Sequence, residues 1–402
     1  MTDSHSPLAL DVLVIGGGVA GLWLLDSLTR QGYRGLLLEA HQLGSGQTVA
    51  SQGILHGGLK YTLSNLVDPG AKAVAQMPLI WRDALAGKRE PNLSKTKLRA
   101  DFCHLWRTGS ARSRLGMTGA GMVLRVKPKE IPKENWPQAL KNLQGQVYNL
   151  PEQVIDTASF LTDLASKHTH RLLKIDADNG VQFKQDHAGN VTTVHLTHGD
   201  QTLSLAPKQI VLTAGKGNAT LRKMLNLDEQ AMQIRPLHMV MVKGDLPKLN
   251  GHCTDFSQTR ITVTSAVASD GKTVWTVGGQ ASEDGVKMTP EALISHVKSE
   301  ILAVVPNVDL TNAQWATYRV DRAERHTTHG RRPEGVTLIH DANVITAWPT
   351  KLVLAPQLAD DVIKQLSGSP TGPDDQMVAP NWPRPTVARP PWEKVESWLT
   401  VN

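Results

Sequence analysis

The chain has 402 residues, 20% of them charged and 40% apolar, with 33 Gly and 23 Pro; this is a globular composition of two to three domains, and it excludes a disordered or collagen-like polypeptide. Two cysteines, Cys103 and Cys253, are too few for a disulfide framework, a cysteine zinc finger or an iron–sulfur cluster. The net charge of +6 is unevenly spread: residues 82–130 carry twelve Lys and Arg against four Asp and Glu, a solvated face by default and otherwise a surface for an acidic partner, a phosphate-bearing substrate or an anionic membrane.

The ten leading residues hold no Lys or Arg, which speaks against a secretory signal. The longest uncharged apolar run, 12–25, has 14 residues, four of them Gly, too short for a membrane span of about 20. A cytoplasmic location is expected. Residues 11–16, Asp-Val-Leu-Val-Ile-Gly, predict a strand buried on both faces of a parallel sheet. Gly16-Gly17-Gly18-Val19-Ala20-Gly21 follows at once. A helix with Leu22, Leu24, Leu25 and Leu28 on its apolar face then runs toward Gly32, and a second buried strand over 35–39 ends on Glu39. This is the order of a dinucleotide-binding unit. Glycines let the backbone approach a pyrophosphate, and the helix N-terminus offers N–H groups and positive dipole charge. Glu39, 18 residues past Gly21, can grip a ribose diol and repels a 2′-phosphate. The pattern predicts NAD or FAD and disfavours NADP.

Further along, residues 44–61 read Gly-Ser-Gly-Gln-Thr-Val-Ala-Ser-Gln-Gly-Ile-Leu-His-Gly-Gly-Leu-Lys-Tyr. Residues 81–149 are basic, rich in Gly and Pro, and predicted irregular. Asp156 predicts the cap of a helix over 157–167 with Phe160, Leu161 and Leu164 on one face. Asp178-Asn179-Gly180 and Ala188-Gly189-Asn190 predict turns between short strands. Strands near 237–243, 260–267 and 273–279 predict a second, mostly antiparallel sheet, and Thr289-Pro290-Glu291 opens a helix. The stretch 370–402, with seven Pro and with Trp382, Trp392 and Trp398, predicts a strap packed on the body; a partner-docking segment and an interfacial anchor are the other readings.

On four stretches the sequence resembles the D-amino-acid-oxidase-like superfamily of FAD-dependent oxidoreductases, which includes glycine oxidase, sarcosine oxidase, 2-hydroxyglutarate oxidase and the flavin-linked glycerol-3-phosphate dehydrogenases. His56-Gly57-Gly58-Leu59-Lys60-Tyr61 is most similar to the His-Gly-Gly-Leu-Arg-Tyr of the last group. Residues 210–217, Ile-Val-Leu-Thr-Ala-Gly-Lys-Gly, resemble the strand and turn that close the dinucleotide fold behind the flavin. Trp315-Ala316-Thr317-Tyr318-Arg319 resembles a strand that projects an arginine at the substrate, although Thr317 stands where the family often has Gly and Val320 where it usually has Pro. Residues 348–356 resemble the turn into the last helix, with Thr350-Lys351-Leu352 close to the Gly-Gly-Lys-Leu of the glycerol-3-phosphate enzymes. The resemblance covers residues 11 to about 366.

It implies an α/β fold, α+β overall: a Rossmann-like FAD-binding domain of glutathione-reductase type, discontinuous over 1–80, 150–232 and 316–369, and a smaller substrate domain with a mostly antiparallel sheet over 81–149 and 233–315, followed by the 370–402 tail. The implied cofactor is FAD, touched by Gly16, Gly18, Val19, Ala20, Gly21, Glu39, Ala40, Gly46, Gln47, Ser51, Gln52, Gly53, Leu55, Ala214, Gly215, Thr350, Lys351 and Leu352. The implied reaction is hydride transfer to flavin N5 from a small anionic amine, amino acid or hydroxy compound, with oxygen, a quinone or a carrier protein as electron acceptor. Arg319 would hold the substrate's carboxylate or phosphate. Lys351 would add charge at the helix start or bind the same anion, and Lys60 and Tyr61 would line the pocket. His56 would be the proton acceptor, the point of covalent flavin attachment or a structural residue. No metal is expected, because His326 and His329 lack a third ligand at useful spacing. No nucleic-acid partner is expected, and membrane association is not favoured. A non-catalytic or relay flavoprotein subunit working with a protein partner is the alternative reading.

Overall fold

Apolar runs without polar alternation must be covered on both faces, and the chain opens with two of them. The computed structural model describes residues 6–57, 69–108, 129–255, 258–333, 335–372 and 381–401. In it the strand Leu8–Ile15 pairs in parallel with Gly35–Glu39 on one side and Gln201–Leu212 on the other. Successive side chains of the first strand go to opposite faces. Val12 and Val14 join a core with Leu22, Leu25 and Leu28 of the crossover helix Val19–Arg30, while Leu13 and Ile15 join a core with Ile210, Leu212 and Val194. Both faces are therefore dry.

Among the described residues, eight strands make this first sheet. The path runs Thr337–Asp341, Val344–Trp348, Gln201–Leu212, Leu8–Ile15, Gly35–Glu39, Leu172–Lys174; Val191–His198 is added antiparallel beside Gln201–Leu212, and Val181–Gln185 antiparallel beside Val191–His198. Nine strands make a second sheet, in the order Leu399–Thr400, Gln314–Arg325, Met232–Gly244, Thr273–Gly278, Gln258–Val267, Gly251–Asp255, Cys103–Thr108, Gly145–Leu150, Lys129–Glu130. All its pairings are antiparallel except Gly251–Asp255 with Cys103–Thr108. The helix Pro290–Val304 covers one face, packing Leu293, Ile294, Val297 and Ile301 onto Val240, Val242, Ile261 and Trp275. Thr289 caps it, its Oγ1 accepting from the Ala292 N–H at 3.3 Å.

The three strands and the helix expected between 237 and 291 are present. The 157–167 helix is also present, as Thr157–Ser166. The irregular stretch expected over 81–149 is more ordered than its composition indicates. It holds the end of a helix, Pro69–Leu85, and four short strands, Leu98–Ala100, Cys103–Thr108, Lys129–Glu130 and Gly145–Leu150, while residues 109–128, which carry part of the basic segment, lie outside the described residues. Strand Gln314–Arg325 pairs along its whole length with Met232–Gly244, so the chain re-enters the first sheet at Thr337. Residues 381–401 run across both sheets. The Trp382 indole donates to the Lys174 carbonyl (2.6 Å), the Leu43 and Ala388 N–H groups donate to the Thr386 and Leu43 carbonyls, and Leu399–Thr400 pairs with Gln314 and Trp315. No helix among the described residues is long and apolar enough to cross a membrane.

Candidate functional site

The turn after the first strand is shaped by what will not fit there. Gly16 has φ +114, and a Cβ on it would lie 2.5 Å from the Ala214 Cα; a Cβ on Gly21 would lie 2.0 Å from the Gly16 carbonyl oxygen. The two glycines let the start of the helix sit down on residues 213–214, where the Thr213 hydroxyl donates to the Gly16 carbonyl at 2.9 Å. Gly18 brings no capping side chain, and the helix opens on a cavity, its Val19 N–H donating to Thr48 Oγ1 at 3.1 Å. At the tip of the second strand, Glu39 accepts from the Gly17 N–H through Oε2 and from the His41 N–H through Oε1, both at 2.7 Å. A carboxylate has about four acceptor positions, so this fixed carboxylate still has lone pairs for a diol.

The cavity has a volume of about 1470 Å³ and lies at the carboxyl ends of the parallel strands, with the second sheet as its far wall. Ordinary ligand sites occupy roughly 300–1,000 Å³, so there is room for a dinucleotide and a small substrate together. The glycine turn, the helix start, the fixed acid and the size of the cavity fit FAD. Gly16, Gly18, Val19, Ala20, Glu39, Ala40, Gly46, Gln47, Ser51, Gln52, Gly53, Ala214, Gly215, Thr350, Lys351 and Leu352 line the cavity, as do His56 and Arg319. Two expected contacts are corrected. Gly21 lies behind the turn, packed on Gly16. Leu55 is 1% exposed in the core, because 54–55 run strand-like against 153–154, which sends Ile54 to the cavity and Leu55 away from it.

Gln47 and Gln52 use their amides on the protein. Gln47 Oε1 accepts from the Ala323 N–H (2.9 Å), and Gln52 Nε2 donates to the Thr262 and Thr276 carbonyls (3.0 and 2.8 Å). They clamp the 44–57 segment to the second sheet. On the opposite wall, Thr350 takes φ +57 and Lys351, 7% exposed, opens the turn into helix Ala355–Ile363. An ammonium there opposes the helix dipole, so helix stability does not account for it.

His56 ends the clamped segment, and behind it lies Glu152, 3% exposed. Glu152 Oε2 is 3.4 Å from His56 Nδ1 and 3.4 Å from His252 Nε2, while its Oε1 accepts from the Gly57 N–H at 2.7 Å. His252 Nδ1 is 2.9 Å from Thr262 Oγ1. Ligand atoms of His56, Glu152 and His252 all lie within 4.8 Å of one another. Burial alone would raise the Glu152 pKa, but the two imidazoles outweigh it and hold the carboxyl well below the usual range. Burial, with the Glu152 charge added, pushes the Cys103 thiol well up.

Arg319 sits on Gln314–Arg325 opposite His238, and its Nη1 donates to the Val286 carbonyl at 3.0 Å. The neighbouring Tyr318 projects to the other face and donates its hydroxyl to the Ala50 carbonyl at 2.9 Å. Arg319 is thus an exposed residue at the outer rim of the cavity, on the sheet face that carries His238 and not on the Tyr318 face that meets the 44–57 segment, which corrects the expectation that it projects at the substrate. Lys60 and Tyr61 lie outside the described residues. Thr48, Glu152 and His252 were not singled out from sequence. Thr48 stands inside the 44–61 stretch and could have been read there; Glu152 and His252 belong to no local motif.

A doubly covered parallel sheet, a glycine turn with a strand-end acid and a second antiparallel sheet across a dinucleotide-sized cavity define a flavin-dependent oxidoreductase fold. A family model described as FAD dependent oxidoreductase (DAO) matches residues 11–349, and the chain belongs to that family, with FAD as its cofactor. Among its relatives, the probable FAD-dependent oxidoreductase PA4991 of Pseudomonas aeruginosa is 37% identical over 391 residues, covering 96% of this chain and 98% of its own. The crystal structure of PA4991 superposes with a TM-score of 0.82, at 34% identity, over 97% of this chain and 99% of its own. Glycine oxidase from Geobacillus kaustophilus (TM-score 0.63, 16% identical, 90% and 96% covered) and L-α-glycerophosphate oxidase from Mycoplasma pneumoniae (0.63, 15%, 92% and 97%) share the fold.

Proposed function

We propose that this FAD-dependent oxidoreductase oxidises a small anionic hydroxy compound, with His56 accepting the hydroxyl proton. The observation that supports this reading is His56 on the cavity wall with a buried, ionised carboxylate behind it. A hydroxyl keeps its proton at neutral pH, so its carbon loses hydride readily only when a base takes that proton; an amine can arrive already deprotonated. When bound, FAD supplies the two-electron acceptor. Lys351 serves the substrate's carboxylate or phosphate. The cavity-lining glycines, Glu39, Ala40 and 350–352 hold the cofactor, and oxygen, a quinone or a carrier protein takes the electrons on. The 1–80, 150–232 and 316–369 segments form the FAD-binding part in this reading, except that 316–325 belong to the second-sheet strand Gln314–Arg325, and 81–149 with 233–315 form the substrate-binding part.

The test is anaerobic mixing of the flavin-loaded protein with two panels, 2-hydroxy acids with glycerol phosphates, and amino acids with N-methyl amines. Bleaching of the oxidised-flavin absorbance by the first panel is expected, slowed at least about 100-fold in His56→Asn with the flavin still bound. Bleaching by the amine panel instead would replace the substrate class. No bleaching by either, with dithionite still reducing the flavin, would overturn the reading.

A further inference from the structure

We propose that Glu152 and His252 are positioning residues that fix the tautomer and orientation of His56, a role that rests on the reading of His56 as proton acceptor. The three residues come from separate parts of the chain and meet where His56 lines the cavity, with Glu152 and His252 behind it. The two 3.4 Å approaches to Glu152 Oε2 are ion-pair contacts and not formed hydrogen bonds, but an ionised carboxylate repels a ring lone pair and attracts an N–H, so the nitrogens that face it carry hydrogen: Nδ1–H on His56 and Nε2–H on His252. The other nitrogen of His252, Nδ1, is then an acceptor, which matches the Thr262 hydroxyl 2.9 Å away. The other nitrogen of His56, Nε2, is left with its lone pair at the cavity end of the ring. A correctly oriented base results, with no proton misplaced anywhere along the set.

Electrostatics gives Glu152 its second task. The hydroxyl proton that moves to Nε2, as its electron pair becomes the carbonyl bond and hydride leaves for the cofactor, makes an imidazolium beside the Glu152 carboxylate. The buried Glu152 carboxylate neutralises it. Among the described residues Cys103 is a further titratable group beside Glu152, and it stays a thiol. His252, 4% exposed, holds Oε2 from the far side, and the Gly57 N–H holds Oε1. At 3.4 Å the two histidine contacts are longer than charge-assisted bonds of about 2.7–2.9 Å, as catalytic contacts often are before substrate closes the site. The network continues outward: Thr262, the partner of His252, accepts through its carbonyl from Gln52, which clamps the segment that carries His56.

Glu152→Gln is an informative variant. Oε1 must remain an acceptor for the Gly57 N–H, so the new NH₂ occupies the place of Oε2 and donates toward both rings. His56 is then forced to the Nε2–H tautomer and loses its lone pair at the cavity. The measurement is the ring ¹⁵N spectrum of FAD-loaded protein labelled at histidine, with His56 assigned by its loss in His56→Asn. The wild type is expected to show Nδ1–H at His56 and Glu152→Gln to show Nε2–H, with the melting temperature of the holoprotein nearly unchanged. His252→Gln, which keeps a donor toward Oε2, retains the wild-type tautomer; His252→Leu gives a mixture. An Nε2–H His56 in the wild type overturns the proposal even if no variant folds, and so does a Glu152→Gln spectrum identical to wild type. One equivalent of a divalent metal in the purified protein also overturns it, since both rings would then offer lone pairs to the cluster. No substrate enters these measurements, so they fail independently of the proposed function, which fails if His56→Asn leaves flavin bleaching unchanged.

Discussion

Gly21 and Gly46 separate two uses of glycine at one site. A methyl group on Gly21 would sit 2.0 Å from the backbone oxygen of Gly16, while a methyl group on Gly46 would meet nothing within 4 Å. Gly21→Ala must push the helix off the turn, an overpacking cost of about 1–3 kcal/mol, and should lose FAD as well as stability. Gly46→Ala should leave the FAD-free protein within about 0.5 kcal/mol of wild type, so that any weaker flavin binding reports contact with the cofactor itself. Flavin-to-protein absorbance ratio and thermal melts of the FAD-free proteins check both; equal flavin loss with equal melts would sink the distinction. Asp11 gives the residue scale a pH signature. Burial raises its pKa, but the Lys208 ammonium and the Arg34 and Thr371 N–H groups outweigh that and bring it from 3.8 to about 2. A depressed carboxyl stabilises the fold fully above its unfolded pKa and loses that contribution as pH falls from about 3.8 through 2. Asp11→Asn should therefore cost on the order of 1–2 kcal/mol at neutral pH, discounted for the half-exposed Lys208, and much less near the folded pKa. A pH-independent difference in urea midpoints would show that Asp11 acts through shape alone.

Elements signalled by a few adjacent residues were the legible ones. Asp156 accepts from the Ser159 N–H at 2.8 Å and pairs with Arg99 at 2.8 Å, so the cap read from sequence also ties helix Thr157–Ser166 to the short strand Leu98–Ala100. Asp156→Ala should destabilise by about 1–2 kcal/mol in urea melts, while Asp156→Ser, which restores a cap but not the ion pair, should recover most of it. A loss that Asp156→Ser leaves untouched would assign the effect to Arg99 instead. The glycine turn, Glu39 and the Thr289-Pro290 helix start were readable for the same reason: each is a local pattern with one physical cause. Sheet order was not, because the neighbour of Cys103–Thr108 on one side is Gly251–Asp255, and nothing local in either strand names the other. The site divides along the same line. His56 could be singled out from its segment, but Glu152 and His252 gain meaning only once the Gly251–Asp255 strand and the end of Gly145–Leu150 are brought together. Leu55 was misplaced for a smaller reason: a run of cavity residues was extended by one, and strand alternation turned that one inward.

At the scale of the whole molecule, the 381–401 strap bridges the two sheets beside the cavity that takes FAD. The strap supplies Pro391, Lys394, Val395, Glu396, Ser397 and Leu399 to the cavity wall. It is held by aromatic anchors outside that wall. Trp392 packs with Met241, Val274 and Ala316 under the Arg99 guanidinium at 4.9 Å, and Trp398 lies under the Lys243 ammonium at 4.6 Å. Trp392 does not itself line the cavity, so Trp392→Ala removes an anchor without deleting any side chain of the wall. Truncating a buried Trp costs about 3–5 kcal/mol where the chain cannot collapse onto the gap; a strap end can lift away, so the lower end of that range is expected in the melt of the FAD-free protein. The lifted strap opens the wall, and FAD affinity should fall with it, by about tenfold for each 1.4 kcal/mol that the closed wall contributes to binding. Saturating FAD should then restore part of the melting temperature, because a ligand bound only to the closed form stabilises that form by mass action. The decisive comparison is the FAD dissociation constant of Trp392→Ala against that of a strap-core variant on the far sheet, Trp382→Ala. Trp382 anchors the strap to the first sheet beside Lys174, away from the wall residues, so its loss should lower the melt without an equal loss of affinity. Equal affinities in all three proteins would mean that FAD holds the wall by itself and that the strap serves stability alone.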